Sequence, residues 1–203
     1  MIDPLVTTPL TQRTTAAILA KQVALRPDKV ALIGADGARL TYAESQQRAY
    51  RIASGLRNLG VGRREKVLLY LDNDLDNVLV WLGTTVGAMV SVPINSAYKG
   101  DMLAYVINQS QASVLVIEGA WSDRLVEIAD RLPLLRTVVA RGEVSAHIPG
   151  PLTVLDFADL EDPDPRPVDT PDVSDVASLL FTSGTEEYLP PEARMELLDR
   201  LRR

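Results

Sequence analysis

The amino-acid sequence predicts a doubly wound α/β domain, a parallel-rich sheet flanked by helices. Three observations carry that expectation. Short apolar strand cores alternate along the chain with stretches of helical periodicity. The cores Val67-Leu68-Leu69 and Val114-Leu115-Val116-Ile117 are apolar at every position, as strands covered on both faces require. At 203 residues, 46% hydrophobic and 24% charged, the chain has material for a sizeable core, burying about 70% of its unfolded surface.

Taken in order, Thr14–Leu25 reads as a helix stopped by Arg26-Pro27, because proline disfavours helical backbone in the residue before it. Lys29–Ile33 and Ala38–Thr41 read as two short strands around the turn Gly34-Ala35-Asp36-Gly37. Thr41 and Glu44 predict a capping box: the threonine oxygen accepts from the N3 amide of a new helix, and the glutamate reaches back. Ala49, Ile52, Ala53, Leu56 and Leu59 follow at helical spacing, and Gly60 supplies the left-handed stop. Lys66–Leu71 is then a continuous apolar strand and Asn73–Val86 a helix. The strand Met89–Val92, a helix over Asp101–Gln109, the strand Ser113–Ile117, a helix near Trp121–Arg131 and the strand Thr137–Ala140 complete the alternation.

Composition shifts at Asp159–Asp175, where Pro163, Pro165, Pro167 and Pro171 stand among acidic neighbours with Arg166 as the lone base. Such a stretch reads as an extended, solvated connector. Val176–Phe181 makes one last strand, and Glu192–Arg203 a short charged helix. The chain therefore divides into an α/β unit over 1–160, a connector over 161–175, a strand with the start of a loop over 176–185, and a tail over 186–203.

Composition also excludes function classes. Without Cys there is no disulfide framework, iron–sulfur site or thiol nucleophile, and a single His rules out a His-rich metal site. With 27 acidic against 21 basic residues the net charge is −6, and a pI near 4.9 argues against general nucleic-acid binding. Asn77–Tyr98 carries no charge, but Gly83, Thr84, Thr85, Gly87, Ser91 and Pro93 break the run. The expectation is a buried helix ending near Gly87 and then a buried strand, not a membrane span. The start Met1-Ile2-Asp3-Pro4 lacks the basic and apolar regions of a signal peptide, which with the absence of Cys fits a cytoplasmic location.

The stretch Leu179-Leu180-Phe181-Thr182-Ser183-Gly184-Thr185 is the most informative for chemistry. A buried strand running into hydroxyl residues and a glycine is how a phosphate-binding loop begins: backbone N–H groups converge on the anion, and the hydroxyls add donors. It is no Walker loop, because the Gly-Lys-[Ser/Thr] element is missing. Asp72, Asp74 and Asp76 invite a cation site, but at a helix start they read as caps that complement the dipole. His147, beside Pro149-Gly150, reads as a surface loop residue, and Trp81 and Trp121 as packing residues.

Several of these segments together resemble the adenylate-forming (AMP-binding) superfamily of acyl-CoA synthetases, luciferases and peptide-synthetase adenylation domains. Phe181-Thr182-Ser183-Gly184-Thr185 is similar to the opening of that family's phosphate loop, and Leu40-Thr41-Tyr42-Ala43-Glu44 to its early Leu-Thr-Tyr-x-Glu element. Gly60-Val61-Gly62 before Lys66-Val67, Trp81-Leu82-Gly83 through Gly87-Ala88, and Val92-Pro93-Ile94-Asn95 resemble further segments in the same order. The likeness covers about Thr14 to Thr185 and is nearest to the acid–CoA ligases for fatty or carnitine-like acids.

The resemblance implies the N-terminal subdomain of the adenylate-forming fold and a two-step reaction on a carboxylic acid, with ATP, Mg2+ and CoA. Thr182, Ser183, Gly184 and Thr185 would hold the β- and γ-phosphates. No catalytic residue and no metal ligand is matched. Where the family's loop goes on to Thr, Gly and a Pro-Lys pair, this chain has Glu186-Glu187, and like charge beside a triphosphate is unfavourable. The expectation is therefore a truncated acid–CoA ligase, inactive as an isolated chain. The alternative is a non-enzymatic interaction module or one half of a split ligase. Met195, Leu197, Leu198 and Leu201 would then dock on a second copy or a full-length homologue.

Overall fold

The structure, a computed structural model, describes Pro9 and residues 13–181. Helix α1 (Thr15–Leu25) is capped by the Thr14 hydroxyl, which accepts from the Ala17 amide at 3.1 Å. Strands β1 (Val30–Ile33) and β2 (Arg39–Thr41) form an antiparallel hairpin. Helix α2 (Tyr42–Asn58) opens with the predicted capping box: the Glu44 amide donates to Thr41 Oγ1 at 3.2 Å, and the Thr41 amide donates to Glu44 Oε2 at 2.8 Å. Gly60 follows at φ +88°, the conformation that made glycine the expected stop.

The main sheet is built from β3 (Lys66–Tyr70), β4 (Val90–Pro93), β5 (Val114–Glu118), β6 (Thr137–Arg141) and β7 (Thr153–Asp156). Its five strands lie in the order β4-β3-β5-β6-β7, and every pair is parallel. Because side chains alternate along a strand, each strand feeds both faces. Val67, Leu69, Val114, Val116 and Val139 pack under α2 and α3 (Leu75–Val86), against Ile52, Leu56, Leu79 and Val80. Leu68, Tyr70, Leu115, Ile117 and Val138 face the other way. There they meet Leu103 and Ile107 of α4 (Gly100–Ser110) and Leu125 of the short α5 (Asp123–Val126). The continuous apolar cores thus report a sheet with helices on both sides. Helix α1 lies outside α2 and α3, through Ala16 and Leu19 against Ala49, Ala53, Leu82 and Val86.

Glycine sets the closest of these approaches. A Cβ on Gly83 would stand 2.6 Å from Ile52 Cγ2, so α3 nests directly on α2. Helix α3 ends at Gly87 and β4 begins at Val90, as expected of the uncharged run, and no helix among the described residues is long and apolar enough to cross a membrane.

Four readings need correction. The helix near Trp121–Arg131 is broken into a 3-10 turn (Gly119–Trp121), α5 and a second 3-10 turn (Ala129–Arg131). Ile128 leaves helical backbone at φ −129°, ψ 1° to bury its side chain, and the Ser122 hydroxyl is engaged by Ser145 and the Ala146 amide. Strand β7 was not foreseen: four residues at the sheet edge, with Val154 39% exposed, carry too little pattern. The last strand over Val176–Phe181 is reduced to a single parallel bridge, Ser91 with Ser178. Finally, the acidic connector is not a solvated spacer but a strap bound along α2. Glu161 accepts from Arg48 Nε at 2.8 Å, and Asp162 from Ser54 at 2.6 Å and Asn58 at 3.0 Å. Asp169 pairs with Arg57, and Asp175 with Arg63 and Arg64. Residues 182–203, including the expected tail helix, lie outside the described residues.

The strap begins so close to α2 that a Cβ on Gly55 would stand 1.8 Å from the Leu160 carbonyl oxygen. Helix propensity alone would make Gly55→Ala stabilising by about 1 kcal/mol. The contact reverses the sign: the substitution is expected to cost about 1–3 kcal/mol, as overpacking does, measured as a fall in the urea unfolding midpoint.

Candidate functional site

In an open parallel sheet, ligands bind beyond the carboxyl ends of the strands, where neighbouring strands connect in opposite directions. Here that point lies between β3 and β5, since β3 is followed in sequence by β4 on one side while β5 leads to β6 on the other. The residues leaving these strands are Leu71-Asp72-Asn73-Asp74 and Glu118-Gly119-Ala120-Trp121.

The sequence placed three aspartates here as caps, and the structure uses the carboxylates of Asp74 and Asp76 but only the backbone of Asp72. Asp74 is the N-cap of α3, accepting from the Asn77 amide at 3.0 Å. The Asp72 amide donates to Glu118 Oε1 at 2.9 Å. Asp76 accepts from Arg48 at 3.2 Å, and Arg141 at the end of β6 pairs with Asp74, Asp76 and Glu118. Burial works to lower the pKa of both arginines, but the carboxylates outweigh it: Glu161 and Asp76 hold Arg48 above its ordinary value, and Glu118, Asp74 and Asp76 do so for Arg141. Neither arginine was foreseen; an arginine directly after the apolar core Val138-Val139-Ala140 was the available signal.

A second cluster closes the opposite face. The Tyr70 hydroxyl donates to the Tyr98 carbonyl and accepts from Arg124 at 2.5 Å, and Arg124 also donates to the Ser96 carbonyl at 2.7 Å. The guanidinium carbon lies 4.6 Å from the Trp121 ring centre, a cation–π arrangement, and the Tyr70 and Trp121 rings are 4.9 Å apart. Burial pushes the Tyr70 hydroxyl pKa up, against the pull of Arg124. Trp121 is therefore a packing residue, as expected, and half-buried Trp81 of α3 packs on the clusters that hold α2 and α1. His147 is exposed on the loop after β6.

The segment leading to Thr182, Ser183, Gly184 and Thr185 runs along the outer edge of β4. The Ser91 amide donates to the Ala177 carbonyl at 3.1 Å, the Leu179 amide to the Ser91 carbonyl at 2.9 Å, and the two serine hydroxyls stand 2.6 Å apart. Being parallel to β4, the segment travels toward the carboxyl side of the sheet. Phe181 packs on the core beside α4, edge-on to Tyr105 with ring centres 6.4 Å apart. The four predicted phosphate-loop residues lie outside the described residues.

The described residues do not by themselves fit a nucleotide–magnesium group. The carboxylates at the strand ends are already paired with arginine, and no group of three or more His, Asp or Glu among the described residues could hold a metal ion.

Residues 19–186 match the family described as AMP-binding enzyme. The chain belongs to the AMP-binding family. It is 31% identical over 163 residues to a medium/long-chain-fatty-acid–CoA/3-oxocholest-4-en-26-oate–CoA ligase of Mycolicibacterium smegmatis, covering 80% of this chain and 29% of that ligase. It is 34% identical over 113 residues to a ligase so named from Mycobacterium marinum, covering 56% of this chain and 20% of that one. Among solved structures it is similar to the anthranilate CoA ligase AuaEII in complex with anthranoyl-AMP. That likeness has a TM-score of 0.77 at 25% identity, covering 89% of this chain and 34% of that one. The apo structure of MbtA from Mycobacterium smegmatis matches with a TM-score of 0.73 at 27% identity, over 85% of this chain and 32% of that one. The chain thus spans less than a third of the length of the curated ligases it matches, and its sheet is that of the N-terminal subdomain of adenylate-forming enzymes.

Two measurements follow from the charge pairs. Arg141→Met leaves Asp74, Asp76 and Glu118 without their shared cation and is expected to cost about 1–3 kcal/mol. Arg131→Met, whose partner Asp101 is 94% exposed, should change stability by less than about 0.5 kcal/mol; urea unfolding compares them. The Asp162 carboxyl is held below its ordinary pKa of 3.8, first by the Ser54 hydroxyl and then by the Asp164 amide. A carboxyl with a lowered folded pKa stabilises the fold above its unfolded pKa and loses that contribution as pH falls through the folded value. The stability difference between wild type and Asp162→Asn should therefore be full at pH 7 and shrink once pH drops below 3.8, as read from denaturation midpoints.

Proposed function

We propose that this chain is the N-terminal part of an AMP-forming acid–CoA ligase, cytoplasmic, acting on a fatty or related carboxylic acid. In that reaction a carboxylate oxygen attacks the α-phosphorus of ATP, breaking the bond to pyrophosphate and giving an acyl-adenylate. The CoA thiol then attacks the acyl carbonyl, a thioester forms, and AMP leaves. Mg2+ offsets charge on the leaving pyrophosphate. The contribution of this chain is the donor set at Thr182, Ser183, Gly184 and Thr185, whose hydroxyls and backbone N–H groups suit the β- and γ-phosphates.

The observation that carries the reading is the Ser91–Ser178 pairing. It sets the segment ending at Phe181 against the edge of β4, and those four residues follow it in sequence, inside the span that matches the family. Glu186 and Glu187 oppose the same anion. On its own the 203-residue chain is expected to give no ATP–pyrophosphate exchange with any member of a carboxylic acid panel, and clear turnover by the pure chain would overturn that. Joint replacement of Glu186→Thr and Glu187→Gly removes two negative charges and should tighten tripolyphosphate binding roughly tenfold. Calorimetry showing no change would remove the phosphate assignment.

A second reading, one half of a split ligase or a non-enzymatic interaction module, is favoured by Val176 at 60% and Leu180 at 68% exposure beside the edge of the sheet. A chain that sediments as a monomer and retrieves neither a second copy nor a full-length homologue would end it.

A further inference from the structure

The edge strand has too little pairing of its own to hold its place. One bridge joins it to β4, and its neighbours Val176 and Leu180 are largely exposed. A strand so weakly paired is free to slip, and a slip of even one residue turns every side chain to the other face. Phe181 rests on the core at its far end; what fixes its near end lies upstream. The Asp175 carboxylate accepts from Arg63 at 2.5 Å, from Arg64 Nε at 2.8 Å and from the Asp172 amide at 2.8 Å. Its side chain is only 5% exposed. The Asp172 amide and Arg64 hold its carboxyl below the usual carboxylate range.

The turn that carries the two arginines is itself tied to the start of β4. Arg64 sits at φ +63°, a left-handed conformation that side chains other than glycine seldom adopt, and its amide donates to the Ala88 carbonyl at 2.8 Å. The Val90 amide donates to the Glu65 carbonyl at 2.8 Å. The turn between α2 and β3 is thus fastened to the start of β4, and it presents two guanidinium groups to the strap at that same level. Beyond Asp175, the next fixed point is the Ser178 hydroxyl on fully buried Ser91. Both neighbours of Ser178 in the chain, Ala177 and Leu179, lack a hydroxyl, so a one-residue slip leaves Ser91 without this partner.

We infer that Asp175, Arg63 and Arg64, together with the Ser91–Ser178 pair, are positioning residues that set the register of the strand from which residues 182–185 continue. The ion pairs anchor the strand where the strap ends, and the serines fix which residue faces β4. The functional sense of this register rests on the assignment of 182–185 as a phosphate loop. The register itself does not, because it is read without nucleotide.

Amide hydrogen exchange on the intact chain tests it. In Asp175→Asn, and in Arg63→Gln combined with Arg64→Gln, the Leu179 amide is expected to lose at least tenfold in protection, while Leu68 and Leu115 in the central strands keep theirs. In wild type, raising NaCl from 0.05 to 1 M should speed exchange at Leu179, since the Arg63 and Arg64 side chains that hold the shielded carboxylate are 36% and 65% exposed and open to screening, and Asp175→Asn should abolish that salt response. Ser178→Thr, which keeps the hydroxyl, should retain more protection at Leu179 than Ser178→Ala. Unchanged protection of Leu179 in Asp175→Asn overturns the inference, and so does a loss shared equally by Leu115, which would mark a general loss of stability. If Leu179 responds as expected but tripolyphosphate does not bind, the register stands and the phosphate assignment falls.

Discussion

Strand β3 has a hydrogen-bonded neighbour on both edges and a helical layer on both faces, and every other element takes its place from that arrangement. A backbone so enclosed has no water to satisfy it, so its N–H and C=O groups must pair with β4 and β5 in register. Its side chains must also be apolar in both directions, and Val67, Leu68, Leu69 and Tyr70 are each no more than 2% exposed. Once β3 is flanked, the connections to β4 and β5 leave its two sides, and the divergence of those paths creates the crevice at the carboxyl ends. The location of the candidate site is thus a product of topology before any polar residue is considered.

Charge acts in this protein mainly as a fastener. The chain is acidic overall, yet at the described contacts its carboxylates meet arginine: Glu161 and Asp76 on Arg48, Asp169 on Arg57, Asp175 on Arg63 and Arg64, and Glu118 on Arg141. Arginine suits this work because one planar group can bond several acceptors in fixed directions, as Arg141 does with three carboxylates and Arg124 with a phenol and a carbonyl. Single exposed pairs of this kind add little stability. Their repetition along α2 instead decides where an extended proline-rich segment lies, and in doing so carries the chain back from the β7 edge of the sheet to the β4 edge.

Much of the scaffold was legible because its causes are local. The Thr41–Glu44 box, the stop at Gly60 and the fully apolar cores of β3 and β5 each announce themselves within a few residues. Strand β7 and the broken stretch around α5 were not legible, since the first is a short edge and the second is interrupted by contacts from Ser145 and Ala146, distant in sequence. The strap shows the same limit more strongly. Its partners lie more than 100 residues away, so acidic residues and prolines could be read only as composition. At the candidate site, the hydroxyl-rich loop was visible as a motif, while the serine pair that registers its approach was not. Ser91 interrupts the apolar core of β4, and a polar side chain at a buried position needs a hydrogen-bond partner. That was the hint available, but nothing local names Ser178 as the partner.

The separation of the strap from α2 also orders assembly in time. The sheet is complete once the chain reaches Asp156, whereas Arg57 meets Asp169 across 112 positions and Ser91 meets Ser178 across 87. Contacts between such distant residues close the longest loops and are the slowest to form. In a chain that folds as it leaves the ribosome, the β4 edge and the arginine-bearing side of α2 therefore stand bare until the acidic segment arrives. An open edge is a template for another chain's backbone. The strap is then also a closing cover for the nascent protein.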